Sequence, residues 1–242
     1  MGNLIKTVLF LIVSAFLTHL VPFSDYFRSL DTMIHEFGHA LVTLLLSGKV
    51  MYIELYANHS GVTYSQVSSR WSLIPISLAG YMIASLFALL LFQLRAYGKE
   101  RLGLQLITVV AVLSLVLFVR NQAGILWLLG FVVLTVLMLA LAPRWLRDLY
   151  YLLLAFLTLE ESVFGPLSLL LYAWNDPSKA GDATNLALVT PVPAVGWALL
   201  FTLFSLWCAV RALQHFFRGR RSSGERRRER MEPQFDRPGS GL

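Results

Sequence analysis

Two histidines four residues apart, with a glutamate directly after the first, are the residues of this chain best suited to chemistry: His35-Glu36-Phe37-Gly38-His39. On a helix, residues i and i+4 share a face, so both imidazoles can present a nitrogen to one metal ion. Glu36 then stands where a carboxylate can accept a proton from a water bound to that metal. Burying such groups costs free energy unless something compensates them, and the run that follows, Ala40 to Leu46, is almost wholly apolar. A metal would compensate. The plainer alternative packs the two histidines against neighbouring helices with Glu36 hydrogen-bonded, but ionisable groups inside an apolar span are functional as a rule.

The elements that must position this motif follow from composition. The 242 residues are 57% hydrophobic and 14% charged, against about 25% charged in soluble domains. That excludes an ordinary soluble enzyme and predicts an all-α polytopic membrane protein. Apolar runs fall near 4–21, 72–94, 104–119, 124–141, 149–172 and 186–213. With the motif helix they make about six to seven transmembrane helices. The first run has Lys6 at its front and no small-x-small cleavage pattern behind it, so it reads as a retained helix. Ser29 or Asp31 is the expected cap of the motif helix, and Ser47-Gly48 its expected end.

A β-hairpin is expected directly after that helix. Tyr52-Ile53-Glu54-Leu55-Tyr56 is rich in strand formers, Asn58-His59-Ser60-Gly61 supplies a turn, and Val62-Thr63-Tyr64-Ser65 returns. At membrane depth a hairpin is tolerated only where protein buries or pairs its edges. It is therefore expected at the lip of a site, where the Tyr52–Tyr56 edge can pair with an extended peptide. Asn58 can serve a bound peptide or simply the turn.

The positive charge gathers at the end of the chain. From Arg218 onward there are eight Arg against four Asp or Glu. Residues 1–217 are read as the transmembrane domain and 218–242 as a basic, disordered tail near anionic lipid. Nucleic acid is not an expected partner, because no aromatic or folded element accompanies the arginines. Placing the tail in the cytoplasm puts the basic connections at Arg95, Lys99, Arg101, Arg144 and Arg147 there too. The single cysteine, Cys208, excludes an intrachain disulfide and a thiolate zinc cluster.

Catalytic zinc usually takes three protein ligands and keeps a position open, so a third ligand must come from elsewhere. His19, His59, His215, Glu54, Glu160, Glu161, Asp176 and Asp182 are the candidates. The polar interruption from Trp174 to Asn185 is the most telling, since helix packing can bring an aspartate from it beside the histidines. Within it Asp182 is preferred over Asp176, although either can be a helix cap or turn former. Glu160-Glu161 can orient a ligand histidine or mark a break near Gly165-Pro166.

Together, the His35–His39 motif in a membrane helix, Gly48 and the hairpin behind it, and the downstream helix start around Asn175, Pro177 and Asp182 resemble the site-2 protease family of intramembrane zinc metalloproteases. The compact bacterial branch without a PDZ insertion is the most similar. The resemblance covers roughly 31–80 and 174–196. It implies zinc held by His35, His39 and Asp182, with Glu36 activating water to cut membrane-protein or peptide substrates within or near their transmembrane segments. It also implies a multi-pass protein of a bacterial cell membrane. A non-proteolytic membrane scaffold or chaperone that keeps the metal-binding fold is the alternative, and oligomeric state is left open.

Overall fold

The computed structural model describes residues 24–217. The run expected at 4–21, His19 and the basic tail at 218–242 lie outside the described residues. Helix α1 spans Ser24–Leu45 and carries the His-Glu motif. Ser47 then takes a left-handed φ of 57° and the Gly48 amide donates to the Thr43 carbonyl at 2.9 Å, which closes the helix where Ser47-Gly48 predicts. Its start differs from expectation. Ser29 and Asp31 sit inside α1, not at its cap. The Ser29 side chain bonds His59 instead.

Strands β1 (Lys49–Leu55) and β2 (Gly61–Gln66) form the antiparallel hairpin, with Ile53 opposite Thr63 and Tyr52 opposite Tyr64. Asn58 serves the turn: its Oδ1 accepts from the Ser60 amide and hydroxyl. The edge available for a further strand is not the expected one. The outer side of β1 is already engaged, by a parallel bridge from Ile53 to Val119, an Arg120 amide bond to the Ile53 carbonyl, and Asn121, which satisfies both the amide and the carbonyl of Leu55. In the two-stranded sheet β2 has no second strand partner among the described residues.

Helices α2 (Leu73–Ala96), α3 (Glu100–Leu113, extended by a wider turn over Ser114–Phe118), α4 (Gln122–Ala140) and α5 (Arg144–Asn175) follow. A short α6 (Gly181–Val189) and α7 (Ala194–Phe217) end the described chain. Among the described residues, five helices are long and apolar enough to cross a membrane: α2, α3 with its extension, α4, α5 and α7. The polar stripe of α1 keeps it out of that set. The run expected at 186–213 is two helices, because Pro191 and Pro193 remove amide donors and break the chain between α6 and α7. Of the two readings of Glu160-Glu161, the break near Gly165-Pro166 does not occur; α5 runs through it, and the Pro166 carbonyl accepts from Thr202 at 3.2 Å. The core joins Leu30, Ile34, Phe92, Tyr151, Leu154 and Ala209 of α1, α2, α5 and α7 to Leu104 and Ile107 of α3, Leu128 and Phe131 of α4, and Ile53 of the hairpin. Helix α4 exposes Leu126, Leu129, Val133 and Leu137, a face composed like lipid.

Candidate metal centre

The site lies where α1, α2 and α6 meet. His35 and His39 point from one face of α1, and their Nε2 atoms are 3.0 Å apart. Asp182, in the first turn of α6, brings Oδ2 to 3.2 Å from each of those nitrogens. This approach needs small residues on α2. A Cβ on Gly80 would lie 2.5 Å from His35 Nε2 and 2.6 Å from His39 Nε2, so only glycine lets the rings lie against the helix. One turn earlier on α2, the Ile76 carbonyl lies 2.7 Å from His39 Nδ1. An N–H donated there fixes the tautomer and leaves the Nε2 lone pair facing Asp182.

That arrangement fits a cation. A carboxylate oxygen accepts only, and so does the His39 Nε2 that its Nδ1–H bond leaves free. The His39 nitrogen and the carboxylate oxygen facing one another at 3.2 Å repel unless a proton or a cation sits between them. Tetrahedral zinc with bonds near 2.1 Å holds its ligand atoms roughly 3.4 Å apart, close to these separations. Two imidazoles and a carboxylate are also a donor set that suits zinc.

Glu36 lies between the histidine face of α1 and the hairpin, roughly 60–100° around the helix from the two imidazoles. Thr63 on β2 donates to its Oε2 at 2.6 Å and approaches its backbone carbonyl at 3.1 Å. Gly61 makes room, since a Cβ there would lie 2.7 Å from Glu36 Cγ and 3.0 Å from Oε1. The turn is tied down by Thr32, whose hydroxyl donates to the His59 carbonyl at 2.7 Å. The hairpin is thus fastened along the Ser29, Thr32 and Glu36 face of α1.

The remaining candidates for a third ligand are elsewhere. Asp176 is exposed; hydrogen bonds from Ser178 and then the Lys179 ammonium, 3.0 Å away, hold its carboxyl below the usual range. Glu54 accepts the Tyr56 hydroxyl, and that bond pushes the phenol up to about 12. Glu160 and Glu161 face Arg28, not the histidines. His59 is bound to Ser29, and His215 lies in the last turn of α7. Among the described residues, one group has three ligand atoms close enough to share an ion, and it is His35, His39 and Asp182. In the sequence Gly61 signalled only a turn and Thr63 only a strand, and Gly80 carried no signal.

Over residues 7–212 the chain matches the family model described as Peptidase M50B-like. The chain belongs to that family, the site-2 proteases. Neither the curated proteins nor the solved structures contain a significant match. M50 peptidases are membrane metalloproteases and zinc is a trait of the family, so the five apolar helices belong to an integral membrane protein.

Proposed function

We propose that this M50B-like protein is an intramembrane zinc endopeptidase that cuts membrane-protein substrates within or near their transmembrane segments. The observation that carries the reading is the approach of Asp182 Oδ2 to 3.2 Å from both imidazole nitrogens. His35, His39 and Asp182 are the proposed ligands. Zinc held there polarises a carbonyl and makes water acidic enough to lose a proton near pH 7. Glu36 is the proposed general base. Thr63 engages Oε2, which fixes the carboxylate and leaves Oε1 to accept the proton and later return it to the leaving amine.

A helical substrate hides its backbone amides, so it must unwind before it is cut. The edge of β2 is suited to receive the unwound stretch, because Gly61 and Thr63 on that strand lie against Glu36. Similarity to the compact bacterial branch supports a place in a bacterial cell membrane. The test is cleavage of a transmembrane peptide by purified, zinc-loaded protein beside Glu36→Gln. Cleavage abolished in the variant, with zinc retained, supports the reading. A cellular phenotype untouched by Glu36→Gln, with no cleavage by the wild type, points to a scaffold that keeps the fold without the reaction.

A further inference from the structure

Tyr81 stands beside the metal centre with an unused hydroxyl. It follows Gly80 on α2, and its ring packs edge-to-face on His35 with centroids 4.4 Å apart. Phe201 on α7 holds the ring from another side, with centroids 5.0 Å apart. On α5, Gly165 leaves room: even a Cβ there would lie 3.4 Å from Tyr81 Cε1. The ring is therefore fixed by α1 and α7 together. The carboxylates of Asp182, Asp31 and Glu36 all lie within electrostatic reach of the phenol.

The other tyrosines packed into the fold use their hydroxyls. Tyr26 donates to the Trp127 carbonyl at 3.1 Å, Tyr151 to the Leu91 carbonyl at 2.6 Å, and Tyr150 pairs with Thr135 at 2.9 Å. Tyr81 has no hydrogen-bond partner of this kind among the described residues. A packed tyrosine normally finds one. Here the ring is held by apolar and imidazole contacts, and the donor is left for something that enters the site.

We propose that Tyr81 is a catalytic residue whose O–H donates to the carbonyl oxygen of the scissile peptide. The inference rests on the peptidase reading above. As the carbonyl carbon becomes tetrahedral, negative charge gathers on its oxygen. A donor already fixed in a site with little water stabilises that charge more than it stabilises the neutral carbonyl. The proton stays on the tyrosine throughout, so the step adds a hydrogen bond and no transfer.

Tyr81→Phe keeps the ring against His35 and removes only the hydroxyl. In zinc-loaded protein cleaving a transmembrane peptide, kcat is expected to fall about 10²-fold, with KM and zinc content unchanged. A phosphinic peptide, tetrahedral and anionic where the carbonyl would be, provides a readout apart from turnover. By calorimetry the variant should bind it more weakly by a similar factor and bind the cleaved product peptide as the wild type does. Phe201→Leu touches the same ring without removing the donor, and should leave the ratio of those two affinities unchanged. A Tyr81→Phe protein equal to wild type in kcat and in phosphinic-peptide affinity overturns the role of Tyr81 and leaves the peptidase reading standing. So does a Phe201→Leu protein that loses the affinity ratio equally, since the ring alone would then account for the effect. A zinc-loaded wild type that cuts no peptide overturns both.

Discussion

At Arg28, helix α1 meets α5 through Glu160 and Glu161; at His35 and His39, about two turns further along, it meets α6 through Asp182. Both clusters are largely buried, yet their charges are arranged differently. The first holds its own cation: Arg28 pairs with Glu161, lies 3.7 Å from Glu160 and reaches Asp25 at 3.6 Å. The second brings two imidazole nitrogens and a carboxylate oxygen together with no Lys or Arg between them. A buried acidic pair that faces an arginine fastens two helices. Two imidazoles and a carboxylate converging on one point could hold a metal ion between them. Proximity of polar groups therefore does not by itself mark a candidate metal site; the type of group that converges does.

The sharpest way to break this contrast is at Glu36, which belongs to the second cluster but is not one of its proposed ligands. Glu36→Gln should lower the cleavage rate by about 10²–10⁴-fold with zinc content unchanged, measured on a transmembrane peptide. Loss of zinc in that variant would make Glu36 a ligand and redraw the site. At the other cluster, Arg28→Ala removes the guanidinium that lies 3.7 Å from the fully buried Glu160. It should destabilise the fold by about 3–5 kcal/mol, seen by denaturant unfolding in detergent, while the folded fraction keeps its zinc. An Arg28→Ala protein that is stable but zinc-free would mean that the two clusters act as one.

Gly80→Ala tests the packing that brings the rings together. The added methyl falls 2.5 Å from His35 Nε2, so zinc affinity should drop by about 10–100-fold, the scale of a damaged supporting contact, read by competition with a chelator. The smallest effect belongs to Asp176. Its carboxyl is held below the usual range in the folded protein, so its contribution is present above the unfolded value of 3.8 and is lost as pH falls through the lowered one. Asp176→Asn should keep full zinc content and lose only that acidic dependence of the thermal midpoint.

Different parts of the molecule were legible in the sequence to different degrees. His35, Glu36 and His39 could be read because one helix sets their geometry and i, i+4 spacing needs no tertiary knowledge. The hairpin was legible for the same local reason, in its strand formers and its Asn58–Gly61 turn. Asp182 was one of several acids, and its place beside His35, almost 150 residues away in the chain, depends on how α6 packs against α2 and α7. Thr63, Gly80 and Tyr81 were not legible, because threonine, glycine and tyrosine acquire their roles here only from their neighbours in space. Two misreadings have plain causes. Apolar content alone joined α6 to α7 although Pro191 and Pro193 signalled a stop. Good capping residue types at Ser29 and Asp31 suggested a helix start, whereas both lie within α1, Ser24–Leu45, and Ser29 turns to the hairpin.

The central claim is that His35, His39 and Asp182 form one cation site, and metal analysis of the purified protein tests it most directly. Wild type and Asp176→Ala should each carry about one zinc per chain, while His35→Ala, His39→Ala and Asp182→Ala carry little or none. Stoichiometric zinc in Asp182→Ala, with none in Asp176→Ala, would contradict the account.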